Sequence, residues 1–161
     1  MRIAAKVEIG APPAAVWQFV ADPARYLEFM SGMTRWEVVS ENGRGLGARY
    51  RMLLLVGSAE VGGLVEVVEW EEESDIAWHS VMGLDQRGRW RLRETAGGGT
   101  HVELRLQYGV AGAGITGWIA ERVAAGQVSR HLRRSVVELK RQVELEGLRR
   151  RAAQRRTAAL S

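Results

Sequence analysis

Three histidines, His79, His101 and His131, and the acidic run Glu71-Glu72-Glu73 are the side chains best suited to hold a metal or move a proton. Their placement argues against both. No histidine has a second one at zinc-ligand spacing, and the chain has no cysteine, which excludes disulfides, thiolate nucleophiles and cysteine metal sites together. No metal is expected. The three glutamates share a strand end, where a run of like charge reads as a solvated edge. No serine lies in a nucleophile-elbow setting. Gly112-Ala113-Gly114-Ile115-Thr116-Gly117 fits G-x-G-x-x-G between a strand and a helix, which on spacing alone suggests a dinucleotide turn. Such a site needs a second parallel strand ending in an acid that holds the ribose. Here the chain continues as helix and basic tail, so the glycines read as a tight strand-to-helix turn and no cofactor is expected.

What the chain offers instead is aromatic surface. It has six tryptophans and three tyrosines. Trp36, Tyr50, Trp78, Trp90, Tyr108 and Trp118 fall at positions expected to face a dry interior; Trp17 reads as plain core and Trp70 has no assigned place. Rings with a polar tip suit a pocket for a large flat or greasy ligand. The candidate ligand-binding residues are Tyr26, Met30, Trp36, Tyr50, Met52, Leu54, Trp78, Ser80, Trp90, Leu92, Leu104, Tyr108, Trp118 and Gln127. Polar groups in phase with them are few. Glu94 or His131 would be the acid or base if the pocket were catalytic, and no catalytic residue is assigned.

The elements that would carry these residues follow from periodicity. Arg2 to Ile9 alternates as a half-buried strand. Pro12-Pro13 suits the first turn of a short helix through Val16, Trp17 and Val20. Asp22-Pro23 caps a second one carrying Tyr26, Leu27, Phe29 and Met30, stopped by Ser31-Gly32. Six strands are then expected: Arg35–Glu41, Ala48–Val56, Leu64–Glu72, Ile76–Met82, Gly88–Thr95 and Thr100–Val110, with turns at Gly57-Ser58, Glu73-Ser74-Asp75, Gly83–Gln86 and Gly97-Gly98-Gly99.

The last stretch, Ile115 to Gly147, lacks proline and reads as a long helix. Its apolar stripe is Val128, Leu132, Val136, Leu139 and Val143, opposite Arg130, Arg133, Arg134, Arg141 and Glu144. A second apolar line, Ile115, Ile119 and Val123, lies on the other side of its front half. A break is expected at Gly126, where the two lines meet, with residues 112–126 as a gate to the interior. One wet-faced antiparallel sheet needs a cover, and only this helix is long enough. A strongly curved sheet closed by one helix seldom packs solid, so an internal cavity is expected.

This order of elements resembles the START/Bet v 1-like superfamily, the helix-grip fold of the polyketide cyclase/dehydrase and lipid-transport group. The residues that carry the likeness are Val7-Glu8-Ile9-Gly10-Ala11-Pro12-Pro13-Ala14-Ala15-Val16-Trp17 and Val20-Ala21-Asp22-Pro23-Ala24-Arg25-Tyr26. Weaker matches are Ile76-Ala77-Trp78, Trp90-Arg91-Leu92 and Gly97-Gly98-Gly99-Thr100. The resemblance implies an α+β fold with a curved antiparallel sheet of about seven strands, two short helices and one long C-terminal helix over the concave face. It also implies a hydrophobic ligand such as a lipid, isoprenoid or polyketide, held by a carrier or sequestering protein, or else a polyketide cyclase or aromatase. Tyr26-Leu27-Glu28-Phe29 loosely resembles the ubiquinone-binding, ribosome-associated branch, which implies an interaction protein.

The charge is uneven. The net is +4, but five of the 23 basic residues and none of the 19 acidic ones lie beyond Leu148. Residues 1–148 are expected to form the domain, at a balance of −1, and 149–161 a basic tail. Arg149, Arg150, Arg151, Arg155 and Arg156 make that tail an expected weak contact for an anionic membrane or RNA; DNA is not an expected partner. With no leader-like segment or long apolar run, a cytoplasmic protein is expected.

Overall fold

The computed structural model describes residues 1–109 and 114–161, with side chains described for 1–109 and 124–161. The first strand, β1, spans Arg2–Ile9; α1 is Pro13–Val20; a single turn, Pro23–Arg25, leads into α2, Tyr26–Phe29. Six strands follow: β2 Met33–Val38, β3 Arg49–Val56, β4 Ala59–Glu71, β5 Asp75–Gly83, β6 Gln86–Glu94 and β7 Thr100–Tyr108. The last helix, α3, is Gly114–Leu160. All seven strands form one antiparallel sheet in the order β1-β7-β6-β5-β4-β3-β2, so the chain meanders from β2 to β7 and β1 closes the far edge.

The sheet curls for local reasons. Register shifts at Met33/Arg35, Leu64/Val65 and Val67/Glu69 put extra residues into β2, β5 and β4 respectively, and such bulges bend the strand that carries them. Alternation then sorts the faces. Ala5, Ile9, Tyr50, Met52, Leu54, Val65, Val67, Trp90, Leu92, Val102 and Leu104 are buried on the concave side. Arginines and acids ladder across the convex side: Arg49–Glu66, Arg51–Glu37 and Arg89–Glu69 pair there.

Asp75, expected in a turn, instead opens β5 with its side chain 3% exposed, under Arg89, Arg91 and Arg93. Burial pushes its carboxyl up, but hydrogen bonds from Ser74, Arg93 and Arg89 more than offset that and hold it below the usual carboxylate range.

The concave face is covered by α3, with α1 and α2 at one end. The expected stripe Val128, Leu132, Val136, Leu139 and Val143 is buried throughout, while Arg130, Arg133, Arg134 and Arg141 stay exposed. Glu144, expected on the wet face, is partly buried and accepts from the Gly10 N–H at 2.9 Å and from Lys140 Nζ at 2.8 Å. This ties the exit of β1 to the helix. The helix runs through Gly126 without the expected break, and an added Cβ there would meet nothing among the described residues. Residues 112 and 113 of the expected gate, and the side chains of its second apolar line, Ile115, Ile119 and Val123, lie outside what the structure describes.

The helix continues past Leu148 to Leu160, and each residue from 148 on is exposed. Its Arg150–Glu146 contact, 2.8 Å, is an exposed ion pair of the kind that contributes little. Truncation after Leu148 should therefore leave the melting temperature within about 2 °C of the full chain, because nothing apolar is uncovered. A loss of many degrees in a calorimetric scan would show that the tail docks on the domain. Among the described residues no helix is long and apolar enough to cross a membrane.

Candidate functional site

The site is built around three stacked rings at the end of the sheet that α1 and α2 close. The Asp22 carboxylate accepts from the Ala24 N–H at 3.0 Å and starts the turn that carries Tyr26 inward. The Tyr26 hydroxyl donates to the Val20 carbonyl at 2.6 Å, fixing its ring against α1. Trp36 from β2 lies almost parallel to it, with centroids 4.5 Å apart and planes at 13°. Tyr50 from β3 also stacks on Trp36, at 4.6 Å and 22°. Its hydroxyl donates to the Gly43 carbonyl at 3.2 Å, in the loop between those strands. Burial, with the neighbouring Tyr50 adding to it, raises the Tyr26 phenol well above its ordinary value; the Trp90 indole opposes this weakly. Burial likewise pushes Tyr50 up to about 12, against a smaller pull from Arg44.

These rings wall a cavity of about 60 Å³. Met30, Met33, Met52, Leu54, Val65, Val67, Ile76, Leu104, Leu106 and Leu132 supply most of its apolar surface, with Trp70 and Trp78. That volume holds a few waters, whereas pockets for drug-sized ligands run from roughly 300 Å³ upward. A larger guest has to push side chains aside, and three of the walls are methionines, whose unbranched chains repack at low cost. Trp78 lies flat across Gly88 of the next strand; a Cβ on Gly88 would overlap the indole. Glycine there is what lets the ring reach the interior.

Among the described residues no Asp, Glu, Lys or Arg lines the cavity. Its polar groups there are Tyr26, Ser31, Tyr50, Gln86, His131 and Ser135, together with the indole N–H groups of Trp36 and Trp78, which are buried without a hydrogen-bond partner among the described residues. His131 is fully engaged. Its Nε2 faces the Leu55 carbonyl at 2.9 Å, so that nitrogen carries the proton, and Nδ1 accepts from the Ser31 hydroxyl at 3.1 Å. The Ser31 N–H donates to Ser135 Oγ at 2.8 Å, and Ser135 donates to the His131 carbonyl at 2.7 Å. Gly32 has φ +76° and the imidazole sits where its Cβ would be. The Ser31-Gly32 pair, expected only to end α2, thus clasps α3 to the edge of β3.

Of the fourteen candidate residues, Tyr26, Met30, Trp36, Tyr50, Met52, Leu54, Trp78 and Leu104 share this one cavity. Five do not. Trp90 and Leu92 are on the concave face but packed solid, 0% and 1% exposed, with the Phe29 ring edge-on to Trp90 at 6.2 Å. Tyr108 is buried beyond the cavity at the end of β7. Ser80 turns into the β5–β6 connection, where it accepts from the Gln86 N–H at 3.1 Å. Gln127 accepts from the Gly57 N–H at the β3–β4 turn. Trp118 lies outside the described side chains. Glu94 is exposed at the end of β6, away from the cavity.

Sequence reasoning missed Trp70, Ser135 and Gln86. The Trp70 ring meets Trp17 edge-on at 5.1 Å while lining the cavity. Gln86, expected in a turn, opens β6 instead.

In overall shape the chain is similar to the TTHA0849 protein of Thermus thermophilus, at TM-score 0.78 and 23% identity over 91% of this chain and 99% of that one. It is similar to the Zhui aromatase/cyclase from a Streptomyces species, at TM-score 0.76 and 18% identity over 89% and 93%. A START superfamily protein from Mycobacterium smegmatis matches at TM-score 0.67 and 16% identity over 89% and 97%. No curated protein matches the chain. These likenesses establish the helix-grip fold expected from the order of elements. The family described as polyketide cyclase / dehydrase and lipid transport matches residues 1–144, the whole of the sheet and the covering part of α3, and the chain belongs to that family.

Proposed function

We propose that the chain holds an apolar, largely flat small molecule in the cavity behind the Tyr26–Trp36–Tyr50 stack, as a carrier or sequestering protein. The observation that carries this reading is the wall itself: stacked rings, methionines and branched aliphatics, with no Asp, Glu, Lys or Arg among the described residues that line it. Such a surface favours an apolar guest by roughly 25 cal/mol for each Å² it removes from water. Family membership supports the class of ligand.

A cyclase reading draws on the likeness to the Streptomyces aromatase/cyclase. Binding is the better supported of the two. Acid–base catalysis needs an acid or base at the wall, and among the described lining residues His131 alone could serve, its ring nitrogens spent on joining α3 to Leu55 and Ser31. Titration with N-phenyl-1-naphthylamine, a neutral fluorescent probe, tests the reading. The probe should quench tryptophan emission, and Trp36→Ala should weaken its binding about tenfold. Equal affinity in the variant would remove the stack from the site, and no binding by the parent chain would remove the cavity.

A further inference from the structure

Gln86 is the buried side-chain amide of the cavity wall, and packing does not explain its placement. It opens β6 at 3% exposure and lines the cavity. Its backbone N–H is satisfied by Ser80 Oγ at 3.1 Å. Its side-chain amide has a poorer partner: Nε2 points at the Met52 thioether, 3.5 Å away. Sulfur of this kind is a weak acceptor, and a primary amide brings two N–H donors and a carbonyl that burial strips of water. A leucine or methionine would fill the same space without that cost.

We infer that the Gln86 amide is the polar anchor of the cavity and that the ligand is an uncharged, flat apolar molecule carrying a carbonyl oxygen that accepts the Nε2–H. This rests on the ligand-binding reading above and narrows it to one chemical class. The remaining lining dictates the charge. The hydroxyls of Tyr26 and Tyr50 are bound to main-chain carbonyls, and the ring nitrogens of His131 to Leu55 and Ser31. A carboxylate or ammonium entering here would lose its water and meet no counter-charge. A neutral ketone loses little water and gains the Gln86 hydrogen bond in place of the thioether contact.

The test uses the full chain and three probes of one size: 2-acetylnaphthalene, 2-isopropenylnaphthalene, in which a CH₂ replaces the carbonyl oxygen, and 2-naphthoate. Tryptophan quenching should rank the ketone about fivefold or more above the alkene, the margin of one neutral hydrogen bond, with the carboxylate weakest. Gln86→Met, unbranched and of similar length, should abolish the preference for the ketone while leaving alkene affinity within about twofold. Gln86→Leu serves as a second variant, and the ranking in the parent chain stands without either. Equal binding of ketone and alkene by the parent chain, a ketone preference that survives in both variants, or tightest binding of naphthoate would overturn the anchor and leave the cavity reading in place. Failure of all three probes to bind would overturn the cavity reading and the anchor with it.

Discussion

Trp90→Ala should cost about 3–5 kcal/mol of stability, the range for deleting a large aromatic side chain from a packed core. The indole is 0% exposed, in the middle of the sheet, opposite Ile76 on one neighbouring strand and Leu104 on the other. Phe29 closes it off from the α2 side. Alanine leaves a hole that the β6 backbone, hydrogen-bonded on both edges, is poorly able to close. Equilibrium urea unfolding reads the effect as a large drop in the midpoint at unchanged slope. A loss below about 1 kcal/mol, together with weakened probe binding, would put Trp90 back among the ligand contacts.

The second large effect is alkaline. Both Tyr26 and Tyr50 have folded-state values raised above that of a free phenol, so between pH 10 and 12 the folded chain keeps protons that the unfolded chain releases. Stability from this source is complete below about pH 10 and falls as pH rises toward about 12 and beyond. The Tyr50 ring is 5% exposed but its hydroxyl is only partly buried. Discounted for solvent at that edge, its share is on the order of 2 kcal/mol, and Tyr26 adds to it. Melting temperatures at pH 9 and pH 12 should differ by well over 5 °C, and the difference should shrink in Tyr50→Phe. A flat profile across that range would mean that the two phenols are hydrated in the folded chain.

The fold was legible because its signals are local. The alternation of Arg2 to Ile9, the prolines at the start of α1, the Asp22 cap and the α3 stripe each imply their element directly, and each element formed as expected. The site was legible only in part, because alternation states which face a residue is on and not what covers it there. Trp90 and Trp36 are both in phase with the concave face; Phe29 seals the first and a gap remains beside the second.

Trp70 shows a second limit. Counted strictly from Leu64 it pairs in phase with Glu66, but the bulge at Val67/Glu69 shifts the phase so that Val65, Val67 and Trp70 all line the interior. Gln86 shows a third. The turn before it is shorter than its glycine and aspartate suggest, so a residue read as the last of the turn is instead buried in the cavity wall.

The central claim is that the ligand sits against Trp36 and Trp78. Indole N–H cross-peaks in a ¹⁵N-labelled chain, assigned by single Trp→Phe changes, report on it directly. Saturation with N-phenyl-1-naphthylamine should move the Trp36 and Trp78 peaks strongly and the core Trp90 peak least. A bound probe that leaves Trp36 and Trp78 in place would contradict the account.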